Sequence, residues 1–86
     1  MDAGTLTVRV LFFGRLKEIV GVREEVCEVR EGEDIAGVYA RYGRRWPELG
    51  EFRGSVVASR NREFVGWDTP VRVGDEIGFL PPVSGG

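Results

Sequence analysis

The stretch TLTVRVLFF, Thr5 to Phe13, decides how the rest of the chain can be arranged. Leu6, Val8, Val10 and Phe12 fall on one face, and Thr7, Arg9, Leu11 and Phe13 on the other. Alternation at period two with β-branched residues predicts a strand. The first set is expected to face a core. The second set starts polar and turns apolar at Leu11 and Phe13, on the face away from that core.

Working outward, GRLKEIVGV places Leu16, Ile19 and Val20 at helical spacing between Gly14 and Gly21. One or two helical turns are expected there. REEVCEVR, Arg23 to Arg30, reads as a second strand with Cys27 and Val29 inward. The link between the two strands is short, so they are expected to be antiparallel neighbours. EGEDIAGVYARYGRRW is the main helix. Asp34 is its expected N-cap, and Ile35, Val38, Tyr39 and Tyr42 form one apolar stripe. Gly43 and Pro47 are expected to mark its end, where Arg41, Arg44 and Arg45 suit the helix dipole. Gly37 inside the helix costs ~1 kcal/mol against alanine, which close packing on a sheet would explain. SVVASRNREFVG, Ser55 to Gly66, reads as two short strands joined at Arg60-Asn61-Arg62. After a turn at Val73-Gly74-Asp75 comes a last strand, Glu76 to Leu80, with Ile77 and Phe79 on one side and Glu76, Gly78 and Leu80 on the other.

Strand, strand, helix and then short strands give the α+β class. The economical solution sets the first and last strands side by side in the centre. That is the β-grasp: a mixed sheet of four to five strands with one main helix and a short second helix. The expected division is a domain over 1–80 and a tail over 81–86.

The chain has 86 residues, enough for one small core. Its 12 basic and 14 acidic residues give a formal charge of −2 and are interspersed. Nucleic acid is therefore not expected as a partner, since phosphate binding needs a clustered basic face. Histidine is absent and Cys27 is the single cysteine. This argues against an internal disulfide, against a metal site, and against a histidine general base. No apolar run approaches the roughly 20 residues of a membrane helix, and MDAGTLTVRV lacks the features of a signal peptide. A cytoplasmic location is the expectation.

The closing PPVSGG carries the chemistry. Pro81 and Pro82 cannot extend a sheet interior and favour an extended backbone. Beyond Val83, Ser84-Gly85-Gly86 can reach roughly 10 Å at ~3.3 Å per residue. A thread without side chains fits a narrow channel in another protein, where its terminal carbonyl carbon could be attacked. A carboxylate is a poor electrophile, so an enzyme acting in trans must activate it; no nucleotide motif occurs in this sequence. Terminal glycines also fray without purpose, but diproline directly after a strand favours the carrier reading.

RVLFFGRLKEIVG near the start and GDEIGFLPPVSGG at the end resemble the small subunit of molybdopterin synthase, the MoaD family. The DIAGVYARY helix is similar to the ubiquitin-like β-grasp pattern. The resemblance implies that a MoeB-like adenylating enzyme converts the Gly86 carboxylate to an acyl-adenylate, and that a sulfur donor then leaves a thiocarboxylate. It implies that Ser84, Gly85 and Gly86 enter the active site of a MoaE-like large subunit, where the sulfur passes to a pyranopterin precursor to build a dithiolene. It implies a heterotetramer of two small and two large subunits, catalytic side chains in the partners, and no cofactor bound by this chain itself. It also implies a hydrophobic patch for both partners, made of Phe13 and Leu80 and flanked by Pro81, Pro82 and Val83. Leu11 shares that face but is not assigned to the patch.

Other residues have plainer readings. Cys27 is expected to be a small buried hydrophobe and not a sulfur-handling thiol. Trp46 and Trp67 are read as aromatic satellites of the core, Tyr39 and Tyr42 as helix stripe, and Arg60-Asn61-Arg62 as a solvated turn. The tail chemistry also leaves other functions open: carriers for thiazole or cysteine synthesis, a ubiquitin-like modifier joined to lysines through Gly86, or a plain interaction domain.

Overall fold

The structure, a computed structural model, describes residues 4–81. Strand β1 (Thr5–Phe12) leads into helix α1 (Gly14–Val20) and strand β2 (Glu24–Arg30). Helices α2 (Ile35–Arg45) and α3 (Glu48–Phe52) follow, then strands β3 (Val57–Arg60), β4 (Glu63–Val65) and β5 (Glu76–Leu80). The five strands form one mixed sheet in the order β2-β1-β5-β3-β4. β1 and β5 run parallel at its centre, with Val10 opposite Ile77 and Phe12 opposite Phe79. β2 joins β1 antiparallel, with Val8 opposite Cys27, and β3 joins both β5 and β4 antiparallel. The expected β-grasp arrangement is present, with all five strands.

The alternation of β1 explains the layering. Val8, Val10 and Phe12 are buried with Val29, Ala58, Ile77 and Phe79 from the neighbouring strands. Ile35, Val38, Tyr39 and Tyr42 of α2 close over them, with Leu16 and Val20 of α1 and Leu49 of α3. Phe12 and Phe79 are fully buried, and each such side chain contributes about 1.5–3 kcal/mol. Edge-to-face contacts of Phe12 with Tyr42 (centroids 4.8 Å apart) and of Phe79 with Tyr39 (4.9 Å) lock α2 onto the two central strands. Trp46 and Trp67 pack at the margins of this core, as expected.

Helix α2 starts where Asp34 was expected to cap it: the Gly37 N–H donates to Asp34 Oδ1 at 2.9 Å. The N–H groups of Ile35 and Ala36 donate to the carbonyls of Thr69 and Trp67. The first turn is thereby satisfied by the loop before β5.

Three details depart from the sequence reading. The helix runs through Gly43 to Arg45, so Pro47 and not Gly43 sets its limit. Immediately beyond it α3 adds a third helix, a single turn whose hydrophobic anchor, Leu49, accepts a 2.6 Å hydrogen bond from the Tyr39 hydroxyl. And Gly37 is not pressed on the sheet. A Cβ there would meet Glu33 Cγ at 2.7 Å, because Glu33 folds over the helix to pair with Arg41.

Candidate functional site: an apolar sheet face at the root of the tail

No helix covers the outer face of the sheet among the described residues. Six large hydrophobic side chains are exposed in these residues, and four lie on this face: Phe13, Val26, Val57 and Phe64. Phe64 is 73% exposed and Phe13 37%. Leu80 and Leu11 are half-buried beside them. Exposed apolar groups gathered on one face mark a surface for another macromolecule.

Register assembles the patch. Leu11 lies opposite Gly78 on β5, Gly78 opposite Ser59 on β3, and Ser59 opposite Phe64 on β4. One row thus crosses four strands, large at both ends and small in the middle. Leu80 lies opposite Val57 one pleat further along. With Phe13, Arg62 and Glu76, the row encloses a shallow hollow of about 320 Å³. Gly78 is required by close approach: a Cβ there would lie 2.6 Å from Ser59 Oγ and 3.4 Å from the Phe13 ring.

The polar border of the hollow is a line of ion pairs. Glu24 accepts from Arg9 at 3.0 Å, Arg9 donates to Glu76 at 2.8 Å, and Arg62 Nε stands 3.6 Å from the other Glu76 oxygen. Arg62 occupies a two-residue hairpin turn with Asn61, and both have positive φ, 72° and 52°. That is the backbone of a type I′ turn, a conformation that costs a residue with a Cβ about 1–2 kcal/mol. Asn61 holds it in place. Its side chain donates to the buried Asp75 at 3.0 Å and accepts from the Glu76 N–H at 3.0 Å, and its own N–H donates to the Glu76 carbonyl at 2.7 Å. The turn is thereby fastened to the start of β5, which fixes where Arg62 and Phe64 stand.

The chain leaves β5 at the end opposite this turn, beside Phe13 and Leu80. Pro81 follows β5 and is half-buried, and a Cβ on Gly14 (φ +55°) would lie 2.9 Å from its Cγ. Of the predicted site residues, the structure brings Phe13, Leu80 and Pro81 together. Pro82, Val83, Ser84, Gly85 and Gly86 lie outside the described residues. Leu11, left unassigned by sequence, lines the hollow. Phe64, Val57, Val26, Ser59 and Gly78 were missed. Arg62, read as part of a solvated turn, stands at the border of the hollow. The signal for Phe64 was faint: a three-residue strand has too little alternation to tell which way it points.

The chemistry available on this face is recognition. Ser59, Arg62 and Glu76 are the polar side chains of the hollow. Among the described residues no three His, Cys, Asp or Glu side chains gather as metal ligands. Cys27 sits on the helix side of edge strand β2, half-buried beside Tyr42, and burial pushes its thiol above the ordinary range. A thiol so shifted is a weak nucleophile at neutral pH. Tyr42 is raised as well, first by burial and then by its 2.8 Å hydrogen bond to Glu25. Glu33 is held below the usual carboxylate range by its hydrogen bonds to Arg41, 2.6 and 2.7 Å long. All three lie away from the apolar face and serve the packing of α2.

Compared with known proteins, residues 10–86 match the family model described as the ThiS family. The chain belongs to that family. It also groups with molybdopterin synthase sulfur carrier subunits, matching 88% or more of the length of those compared. It is 35% identical to that subunit of Escherichia coli over 92% of this chain and 99% of the relative. To the human subunit it is 33% identical, covering 92% of this chain and 93% of the relative. Solved structures agree on the fold. The small archaeal modifier protein 1 of Methanosarcina acetivorans superposes with a TM-score of 0.77 at 28% identity, over 95% of this chain and 98% of that one. A subunit in the complex of subunits 1 and 2 of the Helicobacter pylori molybdopterin-converting factor matches at 30% identity and a TM-score of 0.62, over 94% and 100%. The ubiquitin-like β-grasp architecture of this family member is thus common to sulfur carriers and protein modifiers.

Proposed function

We propose that this ThiS-family chain serves as the sulfur carrier of a molybdopterin synthase, with Gly86 as the site of chemistry. The observation that carries the reading is the placement of the apolar face. It lies around Phe13, Leu80 and Pro81, at the root of the segment that ends in Gly85-Gly86. A partner seated on that face receives the tail beside it.

In this reading a MoeB-like adenylating enzyme joins the Gly86 carboxylate to the α-phosphate of ATP and releases pyrophosphate. A sulfur donor then displaces AMP and leaves a thiocarboxylate. The thiocarboxylate enters a MoaE-like large subunit, its sulfur bonds to the pyranopterin precursor, and water then cleaves the acyl C–S bond, so that the sulfur stays on the precursor and Gly86 returns as a carboxylate. The chain binds no cofactor of its own and assembles as two small with two large subunits. The two-subunit complex from Helicobacter pylori supports a large-subunit partner. The side chains left for this chain are those of recognition: Phe13, Leu80, Pro81, Pro82 and Val83 hold the partner, and Ser84-Gly85-Gly86 reach in.

The test is the intact mass of the protein produced with its adenylating enzyme and a sulfur source. The expected gain is that of one oxygen replaced by one sulfur, located at Gly86, and absent when Gly86 is deleted. Recovery of unmodified carboxylate alone, with the adenylating enzyme shown to be active, would refute the proposal. The similarity to small archaeal modifier protein 1 favours one second reading, an isopeptide-forming modifier. Ladders of heavier conjugates in cells, lost on deletion of Gly86, distinguish it.

A further inference from the structure

The outer face has a symmetry property that binding a large subunit does not require. In the row Gly78-Ser59-Phe64, across β5, β3 and β4, the small Gly78 and the protruding Phe64 stand on either side of Ser59. A two-fold axis laid along β3 and parallel to the strands sets Ser59 against its own copy. It then sets Phe64 of each molecule over the hollow that Phe13, Gly78 and Leu80 line in the other. One pleat along, the half-exposed Val57 meets its own copy. At the polar end the same operation brings Arg62 of each copy over Glu76 of the other. Arg62 is exposed and Glu76 lies at the border of the hollow. Knob matches hole and apolar matches apolar under a single operation, the signature of an isologous interface. The strands of the two sheets would run nearly aligned, as in face-to-face sheet packing.

We propose that this face binds a second copy of the chain, giving a two-fold sheet-on-sheet dimer that a large-subunit partner must displace. Because the proposed function seats the large subunit on the same hollow around Phe13 and Leu80, the two complexes are mutually exclusive on that reading. Self-association covers the apolar face while no partner is present.

The test uses the full chain alone and involves no sulfur chemistry, so its failure leaves the carrier reading standing. Sedimentation equilibrium is expected to show a monomer–dimer equilibrium with concentration. Phe64→Asp is expected to give monomer at every concentration with an unchanged circular dichroism spectrum. Val73→Asp, exposed on a different surface, is expected to leave the dimer intact. As a second measurement, the Cys27→Ser/Ser59→Cys variant treated with a short bis-maleimide is expected to cross-link into dimers. Cys27→Ser/Thr7→Cys, whose thiol lies far from its mate across the axis, is not. Adding a large subunit is expected to abolish the cross-link. A monomer at all concentrations, a dimer that survives Phe64→Asp, or cross-linking at Thr7→Cys but not at Ser59→Cys would each overturn the proposal.

Discussion

Replacing Phe64 by alanine tests whether the partner surface extends to β4, beyond the residues the sequence pointed to. Phe64 is 73% exposed, so the free protein has little to lose and its thermal midpoint should hardly move. A phenylalanine side chain offers about 200 Å², of which about 150 Å² remains open here and can be covered by a partner. At ~25 cal/mol/Å² that covering is worth about 4 kcal/mol at most. Alanine retains part of it, and association recovers only a share of buried area as affinity. About 2 kcal/mol is therefore expected to be lost, close to a 30-fold rise in Kd. Titration calorimetry against the large subunit measures it, with Val73→Ala as control. Val73 is 74% exposed but sits by Thr5 and Thr7 at the other end of the sheet, and should change Kd less than about twofold. Equal effects of the two substitutions, or none from Phe64→Ala, would refute the assignment of β4 to the partner face.

Leu80→Asp should weaken the same complex by 100-fold or more while leaving the far-ultraviolet spectrum unchanged, because it sets an unpaired charge into a desolvated patch. Asn61→Ala should lower stability by about 1–3 kcal/mol, since it leaves Oδ1 of the buried Asp75 and the Glu76 N–H without a partner at a positive-φ position; denaturant unfolding reads it. Glu33→Gln should cost about 1–2 kcal/mol at neutral pH, by loss of the two charged hydrogen bonds to Arg41. The same pair sets a pH dependence: Glu33 is shifted downward on folding, so its contribution is complete above the ordinary carboxylate range and is lost as pH falls through the lowered value. The wild-type advantage over Glu33→Gln should shrink in acid, and unfolding at two pH values checks it.

Much of this protein was settled by sequence alone. Alternation in Thr5–Phe13 and Glu76–Leu80, the Asp34 cap and the stripe Ile35-Val38-Tyr39-Tyr42 are local patterns. Side-chain period is fixed by backbone geometry, so they could be read without knowing what they pack on. Leu11, Phe13 and Leu80 were legible as residues facing away from the core for the same reason, and Pro-Pro-Val-Ser-Gly-Gly declared itself by composition. The tertiary structure decided which of the outward residues meet. Leu11, Gly78, Ser59 and Phe64 form one row only because β5 lies between β1 and β3, and strand order and register are long-range choices that no window of sequence contains. Arg62 became a border of that row because Asn61, Asp75 and Glu76 tie a strained turn to a strand far along the chain. The sequence named the ingredients of a partner face, and folding placed them around one hollow at the root of the tail.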